Sequence, residues 1–587
     1  MTSKADLRRA GEKSLLVGAV LFYAVYAARN AFVIKGEVYF SLFDDAMISM
    51  RYAQSFAEGH GLVWNPGEAP VEGYTNFLWT LLMGGAHLTG LPDSKVSLLV
   101  VAISAACLVA NAFVVRAVTD RISGGNPLAR LTAFALTLFS YPLIFWSLRG
   151  MEVGFLTLLV DLALLASLDL NQRFRGRSVA VLCAACMLAV LTRPDSVTPV
   201  AVVGAFAVLT SSGRDRIKVA LALGSSVGLT LAAHTAFRYV YYHDTLPNTY
   251  YLKMTGTPLG ARLIVGAPAL ARSILLELWP LLLLPVAALI RSPQRLAARG
   301  RQLLLVLLLT QCAYSVYVGG DAWEHLTLAN RYISIALPAG FVLSSVLIAE
   351  LLEDAARAEL RFVGLLSAAC ALLSLSSAVF YHFTTTPFAV SHVRTGQLVP
   401  YAAIDLAIAG AALYIWKREL PSSELRSWAL VVAPLWVALN GMAFGSWKKN
   451  HAAVIDQEMA RIGILVKEAS RPNARIAVTY AGAPPYFSRR PSVDLLGKCD
   501  AVVSRQASYL PFLPGHSKWN YHYSLPTYRP DLILQTIRLN QRDRAYFAEL
   551  GYVRLPNGVY ILKDSPAVDA QAIAAIPFQM HHIFEDR

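Results

Sequence analysis

The sequence is short of charge. Asp, Glu, Lys and Arg make up 15% of its 587 residues, against about 25% in an ordinary soluble domain. Acidic residues are the scarcer kind, 38 against 52 basic ones, which leaves a formal net charge of +14. That sign would suit a nucleic-acid partner. The basic residues, however, gather in short loops between apolar runs, the orientation signal of membrane proteins, so no nucleic acid is expected. Cysteine is scarce too. Of six, Cys107, Cys183, Cys186, Cys312 and Cys370 fall in apolar runs and only Cys499 in a polar one. Nothing in this pattern suggests a disulfide framework. The Cys-x-x-Cys at Cys183 and Cys186 has no second pair and reads as small helix-packing residues rather than a metal or redox site. Nucleotide-binding glycine fingerprints and P-loops are missing.

Apolar runs are what the chain has in quantity. Its hydrophobic fraction is 56%, and runs of about 18 residues or more recur from Leu15 to Phe444, each long enough to cross a hydrocarbon core. The fold class this predicts is an α-helical polytopic membrane protein with a C-terminal soluble α/β domain. Spans are expected near 14–34, 95–116, 128–148, 153–170, 178–192, 195–211, 217–240, 271–290, 302–319, 331–351, 362–381, 400–416 and 427–446, about 11–13 transmembrane helices by length. The run Phe77–Leu91 is too short to span and is expected to be interfacial or re-entrant. Residues 1–446 are thus read as the membrane domain, with a first outer loop at 35–94, and residues 447–587 as the soluble one. In the latter, "HAAVIDQEMARIGILVKE" has helical spacing, "ARIAVTY" and "PDLILQ" are strand-like, and "YVRLPNGVYIL" reads as a hairpin turning at Asn557-Gly558.

Basic clusters fix the sides. The N-terminus "MTSKADLRRAGEK" and loops such as "NQRFRGR" and "RSPQRLAARGR" are expected in the cytoplasm. The aromatic and acidic loops then converge on the opposite face, together with the C-terminal domain. The expected location is a bacterial inner membrane with that domain in the periplasm.

On this outer face two acids, Asp44 and Asp45, stand together where the first apolar run gives way to polar sequence. Interfacial acids are usually functional, and like charges side by side favour a group able to take a proton. A helix cap would explain one of them. Arg193, Lys253 and Arg331 are isolated cations beside outer loops, suited to holding a phosphate at the interface; snorkelling is the plainer reading for any single one. Acid plus cations points to group transfer from a lipid phosphate: a hydroxyl loses its proton to the carboxylate and attacks an activated carbon, and the phosphate leaves under cationic stabilisation. His60 and Trp64, in "GHGLVWNPG", offer a turn residue and an interface anchor, or a stacking face for sugar.

Several motifs, taken in order, resemble a known family. They are "FDDAMISMRYAQSFAEGHGLVWNPGEAPVEGYTNFLW", "SLRGMEVGFLTLL", "LTRPDS", "LPNTYYLK", "YVGGDAWEHLTLANRYISIALP", "GAPPYFSRRPSVDLLGKCD" and "PGHSKW". Together they are similar to the terminal β-(1→2)-arabinofuranosyltransferases, polytopic glycosyltransferases of the GT-C class, over nearly the whole chain. The resemblance implies an inverting transferase that takes a sugar such as arabinofuranose from a polyprenyl-phosphate donor. It implies a cell-envelope glycan as acceptor and the lipid bilayer as surroundings. It implies Asp44 or Asp45 as base, with Asp44 favoured, and Glu152, Asn248, Tyr251, Asp321, His516 and Lys518 around the substrates. No cofactor is assigned beyond the donor. The acids and a histidine also offer ligands to a divalent cation, without a spacing that demands one, so no metal ligand is assigned. Competing readings are a transporter or flippase of lipid-linked sugars, for which broken or charged mid-membrane helices and an internal repeat would be expected, and a glycan-binding envelope protein without turnover.

Overall fold

The computed structural model describes residues 4–274, 279–324, 329–353, 451–510 and 512–577, with Leu406, Gly410 and Tyr414 as isolated positions. Among the described residues six helices are long and apolar enough to cross a membrane: Arg9–Arg29, Asp93–Ser123, Pro127–Leu148, Val153–Gln172, Gly213–Tyr242 and Arg299–Val318. The chain is a multi-pass helical membrane protein. The spans expected near 362–381, 400–416 and 427–446, and the domain boundary at 446/447, lie outside the described residues.

Some expected elements keep their place and others take a different form, each for a local reason. The first helix ends at Arg29 rather than 34. Its last apolar residues instead form β1 (Ala31–Ile34), which pairs with β2 (Glu37–Phe40). Lys35 and Gly36 both have positive φ, 49° and 82°, the geometry of a two-residue hairpin turn that glycine tolerates best. The runs expected at 178–192 and 195–211 keep that division, as helices Gly176–Thr192 and Val197–Thr210. They part at Arg193, held extended (φ −149°, ψ 128°), because Pro194 disfavours helical geometry in the residue before it. The span expected at 331–351 is a single turn, Arg331–Ser334, then Leu337–Glu353. Phe77–His87 is an 11-residue helix, too short to span.

The C-terminal domain is mixed α/β. Helix His451–Glu468 precedes a five-stranded sheet of order β4-β3-β5-β7-β6. Here β3 is Ile476–Val478, β4 Ser492–Asp494, β5 Leu532–Ile533, β6 Tyr552–Arg554 and β7 Tyr560–Leu562. β3 pairs in parallel with β4 and β5, and β7 antiparallel with β5 and β6. The β6–β7 hairpin turns at Asn557-Gly558 as expected. β4 is three residues long, too short to show a period in the sequence.

This domain is clamped onto the start of helix Asp44–Ala57. The Asp44 backbone amide donates to Asp456 Oδ1 (3.2 Å), and Asp44 Oδ1 accepts from the amides of Gly482 (3.1 Å) and Ala483 (3.0 Å). Gly482 is obligatory there, since a Cβ would fall 2.1 Å from the Asp44 carbonyl oxygen. Asp456 in turn is ion-paired with Arg149, which is 1% exposed and also donates to Asn30 (3.1 Å). The first outer loop is pinned separately: buried Glu72 accepts from two nitrogens of Arg238 (2.7 and 3.0 Å) on helix Gly213–Tyr242.

Candidate active site

Between the membrane helices and the C-terminal domain lies a cavity of about 540 Å³, its open mouth included. Four parts of the chain build it. Helix Asp44–Ala57 supplies Asp45 and Ser49. The first outer loop supplies Gly73 to Asn76. The turns around Glu152, Arg193, Lys253, Trp323 and Arg331 form the membrane side, and Lys498 and His516 come from the C-terminal domain.

The two adjacent acids have parted company. Successive helical residues point about 100° apart, so Asp44 faces the C-terminal domain and Asp45 the cavity. Asp44 is 2% exposed, and burial pushes its carboxyl up to about 6 against the opposing pull of Lys498. At Asp45 burial also acts upward, but Lys498 and Arg331 outweigh it and hold the carboxyl well below the usual carboxylate range. Lys498 Nζ sits 2.6 Å from Asp45 Oδ1, and an Arg331 amino nitrogen 3.2 Å from Oδ2.

Each cation has its own setting. Arg331 is steered by Asp321, whose Oδ2 lies 3.2 Å from the Arg331 amide and 3.4 Å from its Nε. Its guanidinium lies over the rings of Trp146 and Tyr332. Arg193 reaches the cavity already neutralised: Asp195 takes two of its donors (2.8 and 2.7 Å) and Glu152 a third (2.6 Å). Glu152 also accepts from Asn76 (2.9 Å), whose oxygen accepts from Ser49 (2.8 Å). Lys253 differs: its nearest polar partner is the Tyr332 hydroxyl at 3.5 Å, and among the described residues it pairs with no carboxylate. His516 packs edge-on against Trp323 with ring centroids 5.2 Å apart. Burial, with Lys498 adding, lowers its ring to about 3, so it is neutral at ordinary pH. The cavity does not suit a divalent cation. Both Asp45 oxygens and one Glu152 oxygen already face cations, and a metal would have to displace them.

Of the residues singled out from sequence, Asp45, Glu152, Arg193, Lys253, Arg331 and His516 line this cavity. The others are placed elsewhere. Asp44 is a docking residue, and Asp321 stands behind Arg331. Trp64 is buried, its indole donating to the Ala481 carbonyl (3.1 Å), so its face is not offered to a sugar. His60 is exposed just past the end of helix Asp44–Ala57, its amide on the Ser55 carbonyl (2.9 Å). The Tyr251 hydroxyl is taken by Asp244 (2.5 Å) and its ring by Arg505, 4.0 Å from the centroid. Asn248 holds the backbone of the Lys498 loop, and Lys518 Nζ donates to three carbonyls, those of Tyr251, Thr255 and Ser504. Lys498, Asn76, Ser49 and Trp323 escaped sequence reasoning. For Lys498 the one available signal is a lone cation inside the motif "SVDLLGKCD".

Residues 449–570 match a family described only as a domain of unknown function, DUF8728. No curated protein matches the chain in sequence. Among solved structures it is similar to apo ArnT from Cupriavidus metallidurans, at 15% identity over 84% of this chain and 87% of that one, with a TM-score of 0.51. The same ArnT bound to undecaprenyl phosphate gives 14% identity over 82% and 85%, TM-score 0.46. The Archaeoglobus fulgidus oligosaccharyltransferase gives 12% over 94% and 74%, TM-score 0.46. The apo ArnT likeness is one of fold: this chain is a GT-C-like polytopic membrane protein carrying a C-terminal mixed α/β domain.

Proposed function

We propose that the protein is an inverting glycosyltransferase that moves a sugar, arabinofuranose or a close relative, from a polyprenyl-phosphate donor to a hydroxyl of an envelope glycan on the outer face of a bacterial inner membrane. The observation that carries the reading is a cavity between the membrane helices and the C-terminal domain where Asp45 meets Lys498 and Arg331, with Arg193 and Lys253 in the same wall and Lys253 paired with no carboxylate among the described residues. Such a site holds an anion whose tail stays in lipid. ArnT, whose fold the chain shares, has also been solved with undecaprenyl phosphate bound, and that lipid class is carried over here as part of the proposal.

Asp45, which faces the cavity, replaces Asp44 as the favoured base. The acceptor oxygen attacks the anomeric carbon from the side opposite the phosphate, and the bond from that carbon to the phosphate oxygen breaks. The electron pair leaves with the phosphate, stabilised by Lys253 and Arg331, and the hydroxyl proton passes to Asp45. Because phosphate is a good leaving group, no general acid is needed, which suits a neutral His516 as a wall rather than a proton donor.

The test is transfer by purified protein from synthetic polyprenyl-phospho-arabinofuranose, with polyprenyl-phospho-hexoses in parallel. Wild type should turn over one donor, and Asp45→Asn should lose about 10²–10⁴-fold in kcat while eluting as a monodisperse folded species. Turnover of no donor would remove the transferase reading. Equal turnover by Asp45→Asn would remove the base.

A further inference from the structure

Two lysines of the C-terminal domain are comparably buried, Lys498 at 7% and Lys518 at 1% exposure, yet they are satisfied very differently. An ammonium has three N–H donors and no acceptor. Lys518 spends all three on carbonyl oxygens at 2.9, 2.7 and 2.6 Å. Lys498 has a single hydrogen-bond acceptor among the described residues, Asp45 Oδ1 at 2.6 Å. Two of its donors have no acceptor among the described residues, and the side chain lines the cavity beside Lys253 and Arg331. A buried donor without an acceptor is costly, so this arrangement calls for a ligand.

The surroundings fix the lysine backbone and leave its stem free. Asn248 Nδ2 donates to the carbonyls of Gly497 (2.9 Å), Lys498 (2.9 Å) and Asp500 (3.1 Å). The Asp494 carboxylate accepts the amides of Leu496 (2.9 Å) and Cys499 (2.7 Å). The base of the side chain is therefore held on both flanks, while four methylenes let the ammonium swing within the cavity. Arg331, by contrast, is fastened by Asp321 and two aromatic faces.

Resting on the transferase reading above, we propose that Lys498 is a ligand of the donor phosphate, and that in turning toward the phosphate it gives up Asp45 Oδ1, which is then free to accept the acceptor's proton. Phosphate and Asp45 compete for one ammonium. Donor binding thus comes first and creates the base, and an acceptor arriving at an empty site meets a carboxylate already occupied. The order limits loss of the lipid-linked sugar to chance hydroxyls.

The experiment measures binding of undecaprenyl phosphate to the full-length protein in detergent, with phosphatidic acid and inorganic phosphate alongside. Lys498→Gln should weaken undecaprenyl phosphate by about tenfold or more, as loss of a charge-assisted hydrogen bond does. Asp45→Asn, which removes the competitor, should bind it more tightly than wild type. If the pair only fastens the domain, Asp45→Asn strands a buried lysine and the affinity does not rise. Lys498→Arg keeps the charge and should retain binding, which holds the test open should Lys498→Gln fail to fold. Equal affinity in wild type and Lys498→Gln overturns the role of Lys498 while leaving the transferase reading intact. If phosphatidic acid binds as well and depends on Lys498 equally, the site belongs to a lipid headgroup and the donor assignment falls. Wild type that binds no undecaprenyl phosphate overturns the transferase reading itself.

Discussion

Asp44 and Asp45 are neighbours in sequence with opposite electrostatic fates. Asp44 is sealed among amides of the C-terminal domain, where desolvation disfavours its charge. Its folded carboxyl titrates at about 6, above the ~3.9 of an unfolded chain. The native state therefore favours the protonated form. The stability this contributes is complete below about pH 4 and is lost as pH rises through about 6. Asp44→Asn keeps an oxygen for the Gly482 and Ala483 amides and cannot ionise. The melting temperature of wild type relative to Asp44→Asn should therefore fall between pH 4 and 7 and then level off, the change being on the order of 2–3 kcal/mol. A difference constant across that range would show that Asp44 carries no raised carboxyl. The sequence made both acids visible because they break an apolar context. It could not say which one faces the cavity, since that depends on a domain more than 400 residues away. The same distance hid Lys498: a lone lysine in "LLGKCD" has no period or spacing to give it away. Trp64 and Lys518 misled for the converse reason. Indole and ammonium groups suit sugar and phosphate binding, but a buried backbone carbonyl serves them equally well.

At the scale of elements, the sequence located helices well where the hydrophobic run was long and poorly where a turn residue cut it. Lys35-Gly36 turned the end of a run into a hairpin, whereas the break at Pro194 was legible in the sequence, and it brings Arg193 to the cavity. Strands of two or three residues, as in this sheet, carry little period of their own. The contact between helix Asp44–Ala57 and helix Ala483–Ser488 is the joint on which the cavity depends. Gly482→Ala would drive a methyl group against the Asp44 carbonyl oxygen, 2.1 Å away, and against Met47 Cβ at 2.8 Å. Backbone lies on the tighter side, so the joint must open. Stability should drop by about 2 kcal/mol or more, and the proposed transfer should fall because Lys498 and His516 move away from the rest of the cavity wall. Limited proteolysis within 451–577, faster in Gly482→Ala than in wild type, would reveal the opening. An unchanged cleavage rate together with unchanged turnover would show that the joint tolerates the methyl.

For the whole molecule, the basic loops of the sequence lead us to propose that the cavity and the C-terminal domain lie on the outer face. A cysteine placed at exposed Lys563, in a chain whose native cysteines are replaced, should react with a membrane-impermeant maleimide in intact spheroplasts. A cysteine at exposed Arg214, in the basic first turn of helix Gly213–Tyr242, should react only after lysis. The reverse labelling would turn the protein over and require a cytoplasmic donor.

The cavity has one more property, set by the order in which its walls are made. Asp45 lies near the start of the chain and Arg331 past its middle, but Lys498 and His516 belong to its final hundred residues. A nascent chain threading into the bilayer therefore carries an unfinished pocket through most of its synthesis. Asp45 has Arg331 but not Lys498 to pair with, and the Gly482 and Ala483 amides that seat Asp44 have yet to emerge. The pocket is completed late, when the C-terminal domain is delivered and docks. If the site works as proposed, a half-inserted chain has no complete pocket with which to consume its donor.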